Sequence, residues 1–280
     1  MNEHTFRVAA CQMVSTPRVD ENLRTADRLI GEAARDGAAL VGLPEYFCLM
    51  GHDEADKVRY REPLADPNDP HTGGPIQGFL ADAARRHRVW LVGGTVPLAA
   101  SDANKVLNTT LVFNPQGQRV AQYDKIHLFS FSKGNEFYDE ARTIAPGGRV
   151  GVFDAPCGRV GLSICYDLRF PELYRAMGAQ FGDIKLVLVP AAFTYTTGSA
   201  HWEVLLRARA IENQCYVLAP AQGGSHENGR RTWGHSMLID PWGKVLAVKP
   251  EGEGIVIGDV DLVSVESMRA SLPALRHRTM

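Results

Sequence analysis

Four residues in this chain have the types and settings to do chemistry together: Glu45, Lys125, Glu140 and Cys165. Each follows a short apolar run that reads as a strand, or lies in the loop after one. That is where α/β sheets present reactive groups. Cys165 ends the run "GLSIC", and the polar segment "YDLRFPELYR" starts at once. A cysteine there is either a buried filler or a nucleophile at the lip of a sheet, with the next N–H facing an incoming carbonyl oxygen. A thiol needs a base, and Glu45 in "GLPEYF" can supply one. Attack on an amide carbon puts negative charge on oxygen, which Lys125 in "YDKIHLF" and the backbone N–H of Tyr166 can stabilise. A second acid would hold that lysine in place and protonated. The segment "FYDEARTIAPG" offers Glu140, with Glu136 just upstream as the alternative. Taken singly, these acids read as solvated loop carboxylates and the lysine as a surface residue. Only the combination describes a reaction.

The rival arrangement is a Cys–His pair. His127 alternates with apolar neighbours and reads as packed or hydrogen-bonded, His201 opens a helix, and His235 opens a strand. No HExxH, CxxC, GxGxxG or GxxxxGK[ST] pattern occurs, so neither a metal nor a nucleotide site is expected. Cys11, Cys157 and Cys215 read as fillers, and Cys48, three residues past Glu45, as packing. For substrate contacts the candidates are Tyr46, Tyr166 and Arg169 beside the reactive residues, and Phe193 and Thr194 after a later strand. Arg169 suits a substrate carboxylate; its alternative is an ion pair across a subunit interface.

The elements that must position these groups alternate along the chain. "RVAACQM" reads as a strand, residues 23–34 as a helix, "ALVGLP" as a strand, residues 76–84 as a helix and "VWLVGGT" as a strand. "TLVFNPQGQRVAQY" is a hairpin around Asn-Pro-Gln-Gly. The second half repeats the order: "RVGLSIC" strand, residues 171–180 helix, "KLVLVP" strand, "HWEVLLRARAIEN" helix, "CYVLAPA" strand, and a hairpin around Asp-Pro-Trp-Gly. The pattern predicts an α/β chain with an internal duplication. "VGLPEYF" overlays "VLVPAAF", and "RVAACQM" overlays "RVGLSIC". Glu45 then falls opposite Ala191 and Cys165 opposite Met13, so the scaffold recurs and the reactive groups do not. Residues 61–75 read as a long surface loop.

The totals are those of an ordinary soluble globular protein. The 280 residues can bury a sizeable core, and a net charge of -2 gives no field for nucleic acid or anionic membrane. No apolar run is long enough to span a bilayer. The start of the chain has an early acidic residue, Glu3, and no signal-peptide core. With five widely spaced cysteines, the expected location is the cytoplasm. Asn108 heads an "NTT" sequon that reads as chance in such a chain.

"GLPEYF", "YDKIHLF" and "GLSICYDLRFPELYR", in that order, resemble the three signature segments of the nitrilase (carbon–nitrogen hydrolase) superfamily. The resemblance runs from "RVAACQM" to "LPALRHR" and implies one carbon–nitrogen hydrolase domain over residues 1–280. It further implies a four-layer α-β-β-α sandwich with internal pseudo-two-fold symmetry, and a homodimer paired through the helix after Cys165 and the C-terminal tail. The family's catalytic glutamate, lysine and cysteine fall on Glu45, Lys125 and Cys165, and its additional glutamate falls best on Glu140. The implied reaction hydrolyses a small linear amide to carboxylate and ammonia through a cysteine thioester, with no metal or organic cofactor. Within the family, "AQGGSH" and "GHSM" resemble the amidases of deaminated glutathione. Omega-amidases acting on alpha-ketoglutaramate and N-carbamoyl hydrolases are the alternatives, and a catalytically silent scaffold subunit is a further one. "GSAHW" stands where omega-amidases have a "GPAHW"-like segment.

Overall fold

Alternation along one strand sets the layering. In the computed structural model, which describes residues 4–67, 69–134 and 136–279, β1 (Thr5–Gln12) sends Val8 and Ala10 into one core and Ala9 and Cys11 into another. Glu3 lies outside the described residues. A strand apolar on both faces belongs inside a parallel sheet covered on both sides. After β1 come α1 (Val19–Arg35), β2 (Leu40–Gly42), α2 (Asp56–Arg59), α3 (Pro75–His87), β3 (Trp90–Val92), β4 (Val96–Ala99), β5 (Val106–Phe113) and β6 (Arg119–Asp124). A hairpin β7 (Ser130–Lys133) and β8 (Glu136–Asp139) follows, then β9 (Ile144–Ala145) and β10 (Gly151–Ala155). The second half runs β11 (Gly158–Leu162), α4 (Pro171–Phe181), β12 (Ile184–Leu188), α5 (Tyr195–Asn213) and β13 (Tyr216–Ala219). It closes with β14 (Gly223–Ser225), β15 (Arg231–Trp233), β16 (Ser236–Ile239), β17 (Val245–Lys249), β18 (Gly254–Asp261) and α6 (Leu262–Ser271).

Two large sheets form, ordered β18-β1-β2-β3-β5-β4 (with β6 and β9 also on β5) and β10-β11-β12-β13-β16-β17, beside the two-stranded pairs β7-β8 and β14-β15. Val8, Ala10, Leu40 and Val92 of the first share a core with Leu162, Leu186 and Leu188 of the second. The outer face of the first sheet packs on α1 and α3 through Leu29, Ile30, Leu80 and Ala84. The second sheet is covered by α4 and α5 through Leu173, Met177, Trp202 and Leu206. This is the expected α-β-β-α sandwich.

The duplication holds at the level of single hydrogen bonds. Ala10 pairs with Gly42 across β1 and β2 as Leu162 pairs with Leu188 across β11 and β12. Leu43 N–H donates to Val92 O (2.9 Å) and Val189 N–H to Leu218 O (3.0 Å). In the two hairpin turns, Gly117 N–H donates to Asn114 O (2.8 Å) and Gly243 N–H to Asp240 O (2.9 Å). The side-chain oxygens of Asn114 and Asp240 each accept two further backbone N–H groups. Each half also lends a strand to the other: β10, which follows the first half, pairs with β11, and β18, which follows the second, pairs with β1.

Three local expectations are corrected. α5 begins at Tyr195, so His201 lies in its second turn and does not open it. Thr194 is the N-cap, its hydroxyl accepting from Thr197 N–H. β4 was not foreseen, because Pro97 argues against a strand; it is tolerated at the sheet edge. Residues 61–75 are not simply a surface loop. Glu62 is buried there, and its carboxylate accepts the first-turn N–H groups of α3 from Ile76 (2.6 Å) and Gln77 (3.1 Å).

Candidate active site

The Glu45 elbow is built by backbone constraints. β2 ends at Gly42, and Tyr46 adopts a φ of 56°, with its N–H donating to Thr95 Oγ1 at 2.9 Å. Gly94 packs against this turn: a Cβ there would sit 2.1 Å from Pro44 O, and its φ is +52°. Gln222 Nε2 donates to Glu45 O at 3.1 Å. The Glu45 side chain is 1 % exposed. Its Oε1 accepts from Lys125 Nζ (2.9 Å) and Asn108 Nδ2 (2.9 Å), and its Oε2 from Ala192 N–H (2.9 Å).

Cys165 sits at a second strained turn. β11 ends at Leu162, yet Ser163 N–H and Cys165 N–H continue along the next strand, donating to Leu188 O (3.1 Å) and Pro190 O (2.9 Å). Cys165 then takes a φ of 49°, a left-handed conformation that costs a β-carbon residue about 1–2 kcal/mol. Buried Asp167 holds the turn. Its Oδ2 accepts from Ile164 N–H (2.9 Å) and Tyr123 OH (2.7 Å), and its Oδ1 lies 3.0 Å from His127 N and 2.7 Å from His127 Nδ1. One carboxylate thus locks the cysteine turn to the segment carrying Lys125.

Lys125 is fully buried between two carboxylates, Glu45 and Glu140, with Nζ 2.9 Å from Glu45 Oε1 and 2.8 Å from Glu140 Oε2. Glu140 Oε1 also accepts from Tyr46 OH (2.8 Å), and its Oε2 from Phe129 N–H (2.7 Å). Glu136 points elsewhere, accepting Thr196 Oγ1–H at 2.6 Å. The carboxylate beside the lysine is therefore Glu140.

The electrostatics follow from burial and pairing. Burial pulls the Lys125 ammonium toward neutrality, but Glu140 and Glu45 outweigh it and hold its pKa well above the usual lysine value. Burial pushes Glu140 up, and Lys125 followed by Lys57 overcomes that, so its pKa is lowered. Burial, then Glu45, raises the Cys165 thiol well above the usual cysteine value, against Lys125. The resting residue is a thiol, and ionising it requires an acceptor in contact.

Contact with the thiol assigns the acceptor. A carboxylate offers about four acceptor positions. Glu140 accepts from Tyr46, Phe129 and Lys125, and Glu45 from Lys125, Asn108 and Ala192, so each keeps a position, but the thiol's hydrogen-bond partner is Glu45. Lys125 spends two N–H bonds on the carboxylates, leaving a third for a developing oxyanion. The Tyr166 N–H, in the first turn after Cys165, has no acceptor among the described residues. None of the three histidines pairs with the thiol. His127 is taken by Asp167 and stacked on Phe170 at 3.7 Å, His201 Nδ1 lies 3.2 Å from Arg169 Nη1, and His235 Nδ1 lies 2.9 Å from Trp233 O.

A cavity above Cys165 is walled by Phe129, Tyr166, Arg169, Phe193 and Thr194. The substrate-contact candidates thus gather there, except Tyr46, which donates to Glu140 and lines a separate small cavity with Lys57 and Asn108. A larger cavity between α4, α6 and the C-terminal residues holds none of these groups. Sequence reasoning missed Asn108, Asp167 and Gln222. The one available signal was their polarity inside apolar runs, as with Asn108 in "VLNTTLVF".

Residues 7–270 match the carbon-nitrogen hydrolase family model. The chain belongs to the carbon-nitrogen hydrolase family. Among relatives of this hydrolase, the deaminated glutathione amidase of Synechocystis sp. is 43% identical over 277 residues, spanning 98% of both chains. The human deaminated glutathione amidase is 41% identical over 276 residues, covering 97% of this chain and 81% of the human one. Among solved structures, Saccharomyces cerevisiae Nit3, a member of branch 10 of the nitrilase superfamily, superposes with a TM-score of 0.87 at 31% identity. That match covers 99% of this hydrolase and 97% of Nit3. Family and relatives make it a hydrolase of amide carbon–nitrogen bonds. No helix among its described residues is long and apolar enough to cross a membrane.

Proposed function

We propose that this hydrolase is a deaminated glutathione amidase working through a thioester on Cys165. The observation that carries the chemistry is the buried set Glu45, Lys125 and Glu140 set against a thiol on a strained turn. Cys165 Sγ attacks the amide carbon as its proton passes to Glu45. The buried charges sum to one negative before and after that transfer, so no new buried charge is created. Lys125 and the Tyr166 N–H take the oxyanion. Glu45 returns the proton to the leaving nitrogen as the C–N bond breaks, then removes one from water as the hydroxide attacks the thioester; the C–S bond breaks, the acid leaves, and Glu45 gives the proton back to Cys165. Glu140 holds Lys125 and does not shuttle protons. Phe193 and Thr194 shape the pocket, and Arg169 receives a carboxylate of the acyl group.

The expected product pair needs one refinement. Glutathione's γ-glutamyl bond is a secondary amide, so its deaminated form releases the amine of a dipeptide and not ammonia. Ammonia is the product only with alpha-ketoglutaramate. The deciding experiment is kcat/KM for both substrates side by side, with deaminated glutathione favoured at least ~10-fold; the reverse preference would make the protein an omega-amidase. We read residues 1–280 as one domain, homodimeric and cytoplasmic. The exposed Val204, Ile211 and Trp242 around α5 support the homodimer, which light scattering on the purified protein tests, and the five free, buried cysteines support the cytoplasm.

A further inference from the structure

Two cations next to the site have no part in this mechanism. Lys57, in α2, is buried; its Nζ pairs with Glu54 and lies 4.5 Å above the ring of Tyr46. Arg230, in the turn between β14 and β15, has a side chain only 19% exposed. Its position is fixed from several sides. Arg230 N–H donates to Asn228 Oδ1 (3.0 Å), Asn228 Nδ2 donates to Gly51 O (2.6 Å), and His226 N–H donates to Arg230 O (2.8 Å). This turn is therefore stapled to the loop that follows Glu45.

The guanidinium is held in place by Tyr138 and Glu54 with N–H donors to spare. It lies 5.3 Å from the Tyr138 ring, and its ion pair with Glu54 is long, at 3.7 Å, because Lys57 holds that carboxylate more closely. A guanidinium carries five N–H donors in a planar fork matched to a carboxylate. From Tyr138 a wall of rings runs past the nucleophile: Tyr138 to Phe129 at 5.6 Å, then Phe129 to Tyr166 at 5.2 Å. Arg169 caps the other end, 5.8 Å from Tyr166. An arginine therefore stands at each end of one aromatic wall, with Cys165 beside its Phe129–Tyr166 step.

The proton route tells the two ends apart. The leaving nitrogen collects its proton from Glu45, so the amine side of the bond must lie toward Glu45. Arg230 stands at that pole: its turn is stapled through Asn228 to Gly51 in the loop after Glu45, and its guanidinium faces Glu54 of the same loop. We infer that Arg230 receives a carboxylate on the amine side of the scissile amide, while Arg169 receives one on the acyl side. The substrate class is thus an N-substituted amide with an anion at each end, such as a keto-acid acyl group on the nitrogen of a short peptide. This rests on the amidase reading above and specifies its leaving group.

The test uses the full-length enzyme with three substrates sharing one acyl group: alpha-ketoglutaramate, deaminated glutathione, and deaminated glutathione with its glycyl carboxylate capped as the carboxamide. For wild type, the cap should lower kcat/KM ~10–100-fold, mainly through KM, as expected for loss of a charge-assisted hydrogen bond. Arg230→Met should lower the ratio of kcat/KM for deaminated glutathione over alpha-ketoglutaramate by a similar factor and should be nearly blind to the cap. An equal loss on all three substrates would make Arg230 structural and overturn the inference, as would a wild type indifferent to the cap. The wild-type comparison stands even where the variant folds poorly. If wild type hydrolyses none of the three, the amidase reading itself fails, and the inference falls with it.

Discussion

The two halves of this molecule share their register, turns and layer order, yet divide the chemistry unequally. At the end of β2 the chain carries Glu45, and at the matching point after β12 it carries Ala191. The cysteine of the second half is mirrored by Met13 in the first. Met13 N–H donates to Ala221 O (3.3 Å) and its carbonyl accepts from Gly223 N–H (2.9 Å), so that position serves to tie the halves together. Even Ala191's neighbour serves the other half, since Ala192 N–H donates to Glu45 Oε2. Shared backbone geometry builds the sandwich, and departures from symmetry build the site.

The comparison can be broken most directly at its mirrored pair. Cys165→Ala should lower kcat more than ~10⁴-fold with the fold intact, as loss of a nucleophile does. Met13→Leu should keep kcat within a few fold and cost under ~1.5 kcal/mol, a volume-conserving core change; rates and thermal unfolding of both variants check this. Next comes Glu45→Gln, which keeps an oxygen for Lys125 and Asn108 but removes the base; single-turnover rates should fall ~10²–10⁴-fold. Removing the cation between the acids, Lys125→Met, strands two buried carboxylates and should cost about 3–5 kcal/mol in urea unfolding.

The pH dependence of stability sharpens the same point. Glu140 has a folded pKa below the ordinary glutamate value. Its contribution is complete above the ordinary value and is lost as pH falls through the depressed one. Lys125 has the opposite sign: its raised pKa gives stability that is complete below the ordinary lysine value and lost as pH rises through the raised one. Glu140→Gln should therefore flatten the acid limb of a plot of Tm against pH and leave the neutral-to-mildly-alkaline slope nearly unchanged. Smallest of all, Asn114→Ala and Asp240→Ala should each cost ~1 kcal/mol, and nearly the same amount, because their turns make the same hydrogen bonds.

Legibility in the sequence followed the range of the forces involved. The duplicated turns were readable because "NPQG" and "DPWG" fix their conformations locally. The central strands and the four long helices were readable from hydrophobic period; β4, obscured by Pro97, and the short or half-exposed elements α2, β7–β10, β14, β15, β18 and α6 were not. Glu45 and Cys165 were readable because each closes an apolar run at a strand end, whereas Lys125 and Glu140, each preceded by an aspartate, gained weight only in combination with them. What stayed hidden depends on long-range partners: Asn108 reaches Glu45 from 63 residues away and Asp167 reaches His127 from 40. Asn108 even carried a misleading sequon, and it is buried at 3 % exposure against the base. The choice of Glu140 over Glu136 was likewise open until the β7–β8 hairpin was seen to turn the second toward α5.

The central claim is that the second half's cysteine, and no other, carries the acyl group between amide and acid. Quenching the unaltered enzyme with acid during turnover of deaminated glutathione, then mapping peptides by mass spectrometry, tests it directly. The account predicts an acyl adduct, of the substrate's mass less its amine, on the peptide containing Cys165 and none on Cys11, Cys48, Cys157 or Cys215. An adduct on another residue, or full turnover by Cys165→Ala, would contradict it.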